Sequence, residues 1–322
     1  MPQTGGPAAQ TGASRDAGNI SFREERRQGR KSMSLQGFLF IMASAVFHVL
    51  WNSFLKASEE KTEAVMLMMV VTLLGMIGYT GLQGALPLAF DLPTLLSAAV
   101  AGLFFFLYQF LTAKAYAHGQ LSRVYPLTVT GPIYIALWGV LILDETITPT
   151  GMIGILSIVY GAMTIQTDSL SLSFGSVLKP GQRPAGSLFA LLAAFFYSFG
   201  AIADKLGVTV GRVAPYTLDL CLIMFLLHGV SWLLRSDGAR LEWLKKQRLR
   251  PILLGGTAML LSFVTFRVGL QEVQASYASA LRQVSTLFGL IIAWLAFREA
   301  FGLKRVFSTV CILTGVVLLK LG

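Results

Sequence analysis

From residue 35 onward the chain is a succession of long apolar runs separated by short polar connections. Ten such segments can be marked: 35–57, 64–85, 94–117, 122–143, 149–166, 187–208, 214–234, 251–272, 276–297 and 302–320. Each is near the ~20 residues that a helix rising 1.5 Å per residue needs to cross a ~30 Å hydrocarbon core. They lack the period-two alternation of a membrane strand and are too long to be one. Most connections are very short, and only 167–186 and 235–250 are longer. Short connections force antiparallel neighbours. The pattern therefore predicts an all-α integral membrane protein, a bundle of ten transmembrane helices.

The pattern also repeats. Shifting residues 98–166 by 154 positions needs no gap and brings Glu145 onto Glu299, Gly161 onto Gly315, Gly102 onto Gly256 and Ser122 onto Ser276. A shift of 149 aligns the first and sixth segments, pairing Gly37 with Gly186 and Lys56 with Lys205. Identities are few, and the weight lies on the coincidence of segment boundaries with the Glu and Gly positions. Five spans per copy is an odd number, so tandem copies must insert in opposite orientations. The expectation is two inverted five-helix repeats, an architecture with its site near the midplane between the halves.

Composition narrows the class further. Apolar types make up 54% of the 322 residues and charged types 13%, with a mean hydropathy of +0.66. A soluble domain carries about 25% charged residues, so a soluble enzyme is excluded. The net charge of +10 would elsewhere suggest nucleic acid, but here the basic residues sit between apolar spans and speak of topology instead. Cys221 and Cys311 both lie in apolar stretches and imply no disulfide framework. His48, His118 and His228 are too scattered for a metal cluster, so no metal is expected. Residues 1–34 are rich in Gly, Gln, Ser and Arg and read as a disordered basic tail rather than a signal peptide. Met33 directly precedes the first apolar span and reads as the natural start, with the upstream residues an extension. An intact product from Met1 in a mass spectrum would overturn that.

The segment Leu141-Ile142-Leu143-Asp144-Glu145-Thr146, followed by Gly151, Gly154 and Gly161, resembles the end of an EamA domain. So does Leu295-Ala296-Phe297-Arg298-Glu299-Ala300, followed by Gly315. The stretch from His48 through Trp51 and Asn52 to Lys56 is similar to the opening helix of such domains. Together these resemble EamA-type members of the drug/metabolite transporter superfamily over roughly 35–320. The resemblance implies ten helices in two EamA repeats and the export or exchange of small metabolites. The domains are then a tail 1–34, a first repeat 35–166, a linker 167–186 and a second repeat 187–320. The second copy departs in places, with Ser308 where Gly154 would fall and Thr286 for Pro132. The family is too broad to name a substrate.

The resemblance also implies a cell inner-membrane location with both termini in the cytoplasm. The charges disagree. Loops opposite the termini carry fourteen basic residues, among them Lys56, Lys61, Arg123, Lys179, Arg183, Arg298, Lys304, Arg305 and six in 235–250. The terminal side carries nine, six of them in the tail. Counting basic residues favours termini outside. Cytoplasmic termini are kept as the expectation, and a C-terminal reporter decides. The stretch Lys245-Lys246-Gln247-Arg248-Leu249-Arg250 reads as a solvated flank that sets orientation or as a patch for lipid headgroups.

Charges inside spans cost about 2.5–3.5 kcal/mol each at a helix centre and are the default functional candidates. Arg267 and Arg282 lie equally far from the connection near 274–275, so an antiparallel hairpin sets them at one depth. They form an anion clamp, or Asp204 or Asp219 neutralises them. Lys114 and Arg123 bracket another connection nearer the surface, where snorkelling is cheap. His48, Trp51 and Asn52 share a helical face, as a binding wall with a titratable ring or as interhelical glue. Tyr108 and Gln109, with Gln283, Ser285 and Thr286, complete a polar lining. The expected substrate-binding set is His48, Trp51, Asn52, Tyr108, Lys114, Arg267 and Arg282. Glu145, Gly161, Glu299 and Gly315 form a structural motif. Each carboxylate is expected to satisfy the free N–H groups of the next helix's N-terminus. Gly102 and Gly256 allow close helix contact. Pro126 and Pro132 should kink the fourth span.

These features point to a secondary transporter, an exporter or exchanger of a small polar metabolite such as an organic anion. Amino acids or amphipathic drugs are the alternative cargo. No nucleotide-binding loop is present, so an ion gradient or exchange supplies the energy. A membrane-embedded enzyme lacks its motifs here: there is no His-Glu-x-x-His, paired aspartate motif or Gly-x-Ser-x-Gly, and no catalytic residue or cofactor is expected. The partners expected are the substrate, membrane lipid and a second copy of the chain, with no nucleic acid.

Overall fold

The side chains that stop and start helices are already visible at several segment ends. The Ser34 hydroxyl accepts the Gly37 N–H at 2.9 Å, and the Thr148 hydroxyl accepts that of Gly151 at 2.9 Å. Asp91 accepts the N–H of Thr94 at 3.3 Å and its hydroxyl at 2.6 Å. These are N-caps that satisfy backbone donors left free by the first helical turn.

The computed structural model describes residues 33–58, 61–84, 91–119, 121–165, 185–234, 248–297 and 302–322. Among them lie twelve helices and no strand. In chain order they are α1 (Leu35–Lys56), α2 (Lys61–Leu82), α3 (Leu92–His118), α4 (Leu121–Thr128), α5 (Gly131–Ile142), α6 (Pro149–Thr164), α7 (Ala185–Val210), α8 (Val213–Leu234), α9 (Leu249–Glu272), α10 (Ala275–Arg282), α11 (Ser285–Phe297) and α12 (Leu303–Leu321). Residues 1–32, 166–184 with most of the linker 167–186, most of the 235–250 loop and Glu299 lie outside the described residues, and with them the expectations placed there.

Seven helical stretches are long and apolar enough to cross a membrane: α1, Glu63–Leu82 within α2, α3, Val124–Ile142 across α4 and α5, α7, α8 and α9. That is fewer than the ten expected. The reasons are local. α6 has only 16 residues, α12 carries Lys304, Arg305 and Lys320 near its ends, and the ninth segment is split into α10 and α11.

That split was not expected, whereas a kink in the fourth segment was. The two breaks coincide under the 154-residue shift: Thr128 and Gly131 fall on Arg282 and Ser285. Proline is therefore not the common cause, since Thr286 stands where the first half has Pro132. Instead the last turns tighten. Gln283 N–H donates to Ala280 O and Val284 N–H to Leu281 O, both at 3.0 Å, and the Thr286 hydroxyl bonds Gln283 O at 2.7 Å. In the first half the hydroxyls of Thr128 and Thr130 bond the carbonyls of Tyr125 and Leu127 at 2.8 and 2.7 Å. Hydroxyls that claim backbone carbonyls compete with the helical ladder.

The two halves interlock. α1 packs along α9 and α3 along α7, so the first helix of each half lies on the third of the other. α2 meets α8, and α6 meets α12. Exchanging the halves leaves these pairings unchanged. At the α6–α12 crossing a Cβ on Gly154 would lie 2.9 Å from Gly315 O, and one on Gly161 would lie 2.6 Å from Ser308 O. Ser308, the departure from the glycine pattern, bonds Thr164 through its hydroxyl at 2.9 Å. Gly102 lets Ile223 of α8 approach, and Gly256 lets Val71 of α2 approach, each within 2.8 Å of where a Cβ would stand. Such small residues let helix backbones close up where lipid supplies no hydrophobic drive.

Candidate functional site

The interlocked halves leave a central cavity of ≈ 1550 Å³. It extends from Lys56 and Ala57 at the end of α1 and Arg305 near the start of α12 to Leu270 and Ala275 beside the α9–α10 turn. Both helix breaks face it, through Thr128, Val129 and Gly131 on one side and Arg282, Gln283, Ser285 and Thr286 on the other. Gly131 has no room for a side chain, because its Cβ would lie 2.9 Å from the Tyr197 ring.

Six of the seven expected binding residues line this cavity: His48, Trp51, Asn52, Tyr108, Arg267 and Arg282. Lys114 does not. It is exposed, with its ammonium over the rings of Phe110 at 5.0 Å and Phe189 at 5.9 Å. The position one turn before the end of α3 carries it to the α3–α7 seam instead.

The two arginines have different surroundings. Arg267 Nε donates to Asp204 Oδ1 at 2.9 Å, and the residues are 4% and 1% exposed. A further guanidinium N–H reaches Phe263 O at 3.3 Å. Of the two carboxylates considered as its neutraliser, Asp204 of α7 takes the role and Asp219 does not. A symmetric two-arginine clamp is thus not what the side chains form. No carboxylate among the described residues lies within ion-pair distance of Arg282. Its guanidinium stacks over the Phe266 ring at 4.2 Å and turns one N–H toward His48 Nδ1 at 3.4 Å.

His48 Nδ1 also receives the Trp51 indole N–H at 3.2 Å, with the two rings edge to face at 5.5 Å. Both partners can only donate. Nδ1 must therefore accept, and the ring proton sits on Nε2. Asn52 gives one of its two amide N–H donors to His48 O at 2.7 Å, within its own helix. Gln109 faces the cavity, but its side-chain oxygen is bonded to the His228 ring at 2.6 Å.

The rest of the wall mixes aliphatic side chains such as Val49, Met69, Met224 and Met259 with aromatic ones, and sequence reasoning missed most of the aromatic part. Phe105, Tyr116, Tyr125, Tyr197, Phe263 and Phe266 all line the cavity. Tyr197 packs on Tyr108 at 5.0 Å between ring centres and on Phe105 at 5.6 Å. It sits in the run Phe195-Phe196-Tyr197-Ser198-Phe199, where its neighbours serve a different purpose. Phe199 stacks on Trp138 at 5.1 Å and Phe196 on Phe104 at 5.9 Å, which bind α7 to α5 and α3. One signal was available. The 149-residue shift places Tyr197 at the position of His48.

At the end of the cavity nearer the termini, the α9–α10 turn is held on both sides. Glu145 accepts the N–H of Ala275 through Oε1 and that of Ser276 through Oε2, the latter at 3.1 Å. Lys205 donates to the carbonyls of Leu270 at 2.6 Å and Val273 at 3.0 Å at the end of α9. An anion at a helix N-terminus and a cation at a C-terminus both complement the helix dipole. The helix capped by Glu145 is α10 of the other half, not α6, the next in sequence, which Thr148 caps. Tyr277 of α10 adds its hydroxyl to the same joint, 3.4 Å from Thr148 N, where Gly151 leaves it space.

A cavity of this kind can bind a solute through one fixed guanidinium and several aromatic faces. Comparison with known proteins gives the family and the fold. The profile of the EamA-like transporter family matches residues 35–167 and 184–321. A curated relative from Methanothermobacter thermautotrophicus, described as an uncharacterized transporter, is 29% identical over 200 residues. That match covers 58% of this chain and spans about half of the relative's own length, 53%. A solved structure, described only as the crystal structure of a protein, superposes with a TM-score of 0.69 at 18% identity. It covers 91% of this chain and 98% of its own, which at that identity shows a shared fold.

Proposed function

The chain belongs to the EamA-like transporter family, and from that premise we propose that it is a secondary transporter which carries a small organic anion through the central cavity. Transport proceeds by alternating access, as two inverted repeats rock about a fixed site. In this reading α4–α5 and α10–α11 each count as one broken span, which gives ten spans in two sets of five. The single observation that carries the anionic cargo is Arg282. It is a guanidinium in the cavity between the halves with no carboxylate partner among the described residues. Such a charge is costly in a membrane interior unless a counter-charge arrives. Broken helices at membrane depth, where they line a cavity, are a feature of secondary transporters.

The joint around the α9–α10 turn supports a state closed toward the termini and reached from the opposite side. We assign the termini to the cytoplasm of a cell inner membrane, which a C-terminal reporter fusion tests. An ion gradient or exchange drives the cycle. The transport test is counterflow in reconstituted vesicles. Labelled organic anions should accumulate against unlabelled internal anion, and Arg282→Gln should abolish this. Accumulation that is unaltered in Arg282→Gln would remove the anionic cargo.

A second reading has its own observation. The aromatic wall of Trp51, Phe105, Tyr108, Tyr197, Phe263 and Phe266 suits amphipathic drugs or amino acids. Counterflow of cationic amphiphiles with no response to anions would favour it.

A further inference from the structure

We propose that the cavity selects a monoanion: one carboxylate on a flat, aromatic body. The inference rests on reading the cavity as a transport site and names the class of cargo. Charge comes first. Of the ionic groups that line the cavity among the described residues, Asp204, Arg267 and Arg282 lie deep, while Lys56 at the end of α1 and Arg305 near the start of α12 stand at the mouth opposite the α9–α10 turn. The Asp204–Arg267 pair is internally neutral. His48 accepts through Nδ1 from two obligate donors and is a neutral ring. The deep cavity therefore holds one uncompensated positive charge, which matches one negative charge on a ligand. A second carboxylate would have to leave water for an aromatic wall without a cation, which is strongly unfavourable.

Geometry comes second. The guanidinium is fixed by stacking on Phe266 at 4.2 Å and by the 3.4 Å contact to His48. A guanidinium carries five N–H donors, and a carboxylate takes two of them in parallel. Beyond the contact to His48, the described residues offer Arg282 no acceptor. Its remaining donors are available in a fixed plane, which lowers the ordering cost of binding.

Asymmetry between the halves comes third. Under the 154-residue shift Arg282 corresponds to Thr128 and Arg267 to Ala113, and under the 149-residue shift Asp204 corresponds to Leu55. The three deep charges thus all come from the second half. The first half supplies Trp51, Phe105 and Tyr108. A ligand fits this division with its carboxylate toward α10 and its ring toward α1 and α3. Ring stacking on these faces adds to apolar burial.

The test is titration calorimetry on the purified full-length protein in detergent. The probes are 3-phenylpropanoate and benzoate, with 3-phenylpropanol as neutral isostere, phthalate as dianion, acetate as anion without a ring, and benzylammonium as cation. The expected result is that 3-phenylpropanoate or benzoate binds at least tenfold more tightly than each of the other four. In Arg282→Gln that preference should fall at least tenfold, while the weaker binding of the alcohol stays unchanged. Arg282→Lys should retain a smaller preference, because a point charge lacks the planar fork. Equal binding of acid and alcohol, tighter binding of phthalate, or no heat from any aromatic acid overturns the proposal. The wild-type order of affinities decides even if a variant fails to fold. Transport is separable from binding. Monoanions that bind but show no counterflow would sink the transporter reading and leave the site. Counterflow of cationic amphiphiles by a protein that binds no monoanion would do the reverse.

Discussion

Glu145 Oε2 accepts the backbone N–H of Ser276 at 3.1 Å across 131 residues of sequence. Its other oxygen takes the N–H of Ala275. One carboxylate of the first half thereby caps a helix of the second half, and that eight-residue helix, α10, ends in Arg282. The cap fixes the near end of the element that carries Arg282 into the cavity.

Replacing Glu145 should therefore cost stability in a graded way. Loss of an N-cap costs about 0.5–2 kcal/mol, and hydrogen bonds to a charged group are worth about 1.5–3 kcal/mol. Glu145→Gln keeps one acceptor and loses the charge. Glu145→Ala loses both. Thermal unfolding in detergent should rank wild type above Glu145→Gln and Glu145→Ala lowest. An Ala variant as stable as wild type would mean that water or another group caps α10.

The Asp204–Arg267 pair allows a sharper test. Removing one partner of a buried pair leaves the other charge uncompensated and costs about 3–5 kcal/mol. Asp204→Asn should be strongly destabilised. Asp204→Asn combined with Arg267→Met should recover most of the loss, since two apolar or neutral groups need no counter-charge. Unfolding midpoints of the single and double variants check this. A double variant no better than the single would mean that the pair also positions other groups.

The helices were legible because lipid imposes a coarse, long-period signal. Their ends fall within about three residues of the apolar boundaries, since capping residues such as Ser34, Asp91 and Thr148 stand there. The break in the ninth segment was not legible. It depends on backbone carbonyls claimed over short range by Gln283, Val284 and Thr286, and no glycine or proline marks it. Arg267 and Arg282 stood out because charge is rare inside a span, but equal depth said nothing of azimuth. Azimuth is what gave Arg267 to Asp204 and Arg282 to the cavity. Tyr197 stayed hidden because a ring facing a cavity and a ring facing a neighbouring helix look alike in an aromatic run. The target of Glu145 was hidden for a related reason. Sequence proximity suggested α6, while the interlocking of the halves delivered α10.

Pro132 should be dispensable for the break it appears in. The second half makes the same break with Thr286 at that position. Pro132→Ala gives back a backbone donor in the first turn of α5, where a free N–H is not yet required to pair. The expected change in stability is within about 1 kcal/mol, with counterflow retained. A collapse of either would show that the fixed φ of Pro132 holds the break in the first half.

The α6–α12 crossing predicts opposite signs for two formally identical substitutions. A Cβ on Gly161 would lie 2.6 Å from Ser308 O, which is backbone and cannot swing away. Gly161→Ala must separate the helices and should cost about 1–3 kcal/mol, the usual penalty for overpacking. Gly78, about one turn before the end of α2, has nothing among the described residues within 4 Å of the same position. There Gly78→Ala only removes backbone freedom and should stabilise by about 0.5–1 kcal/mol. Thermal unfolding of both variants in one detergent compares them directly. A Gly161→Ala variant as stable as Gly78→Ala would mean that the two helices do not meet at this glycine, and the interlocked arrangement of the halves would have to be redrawn.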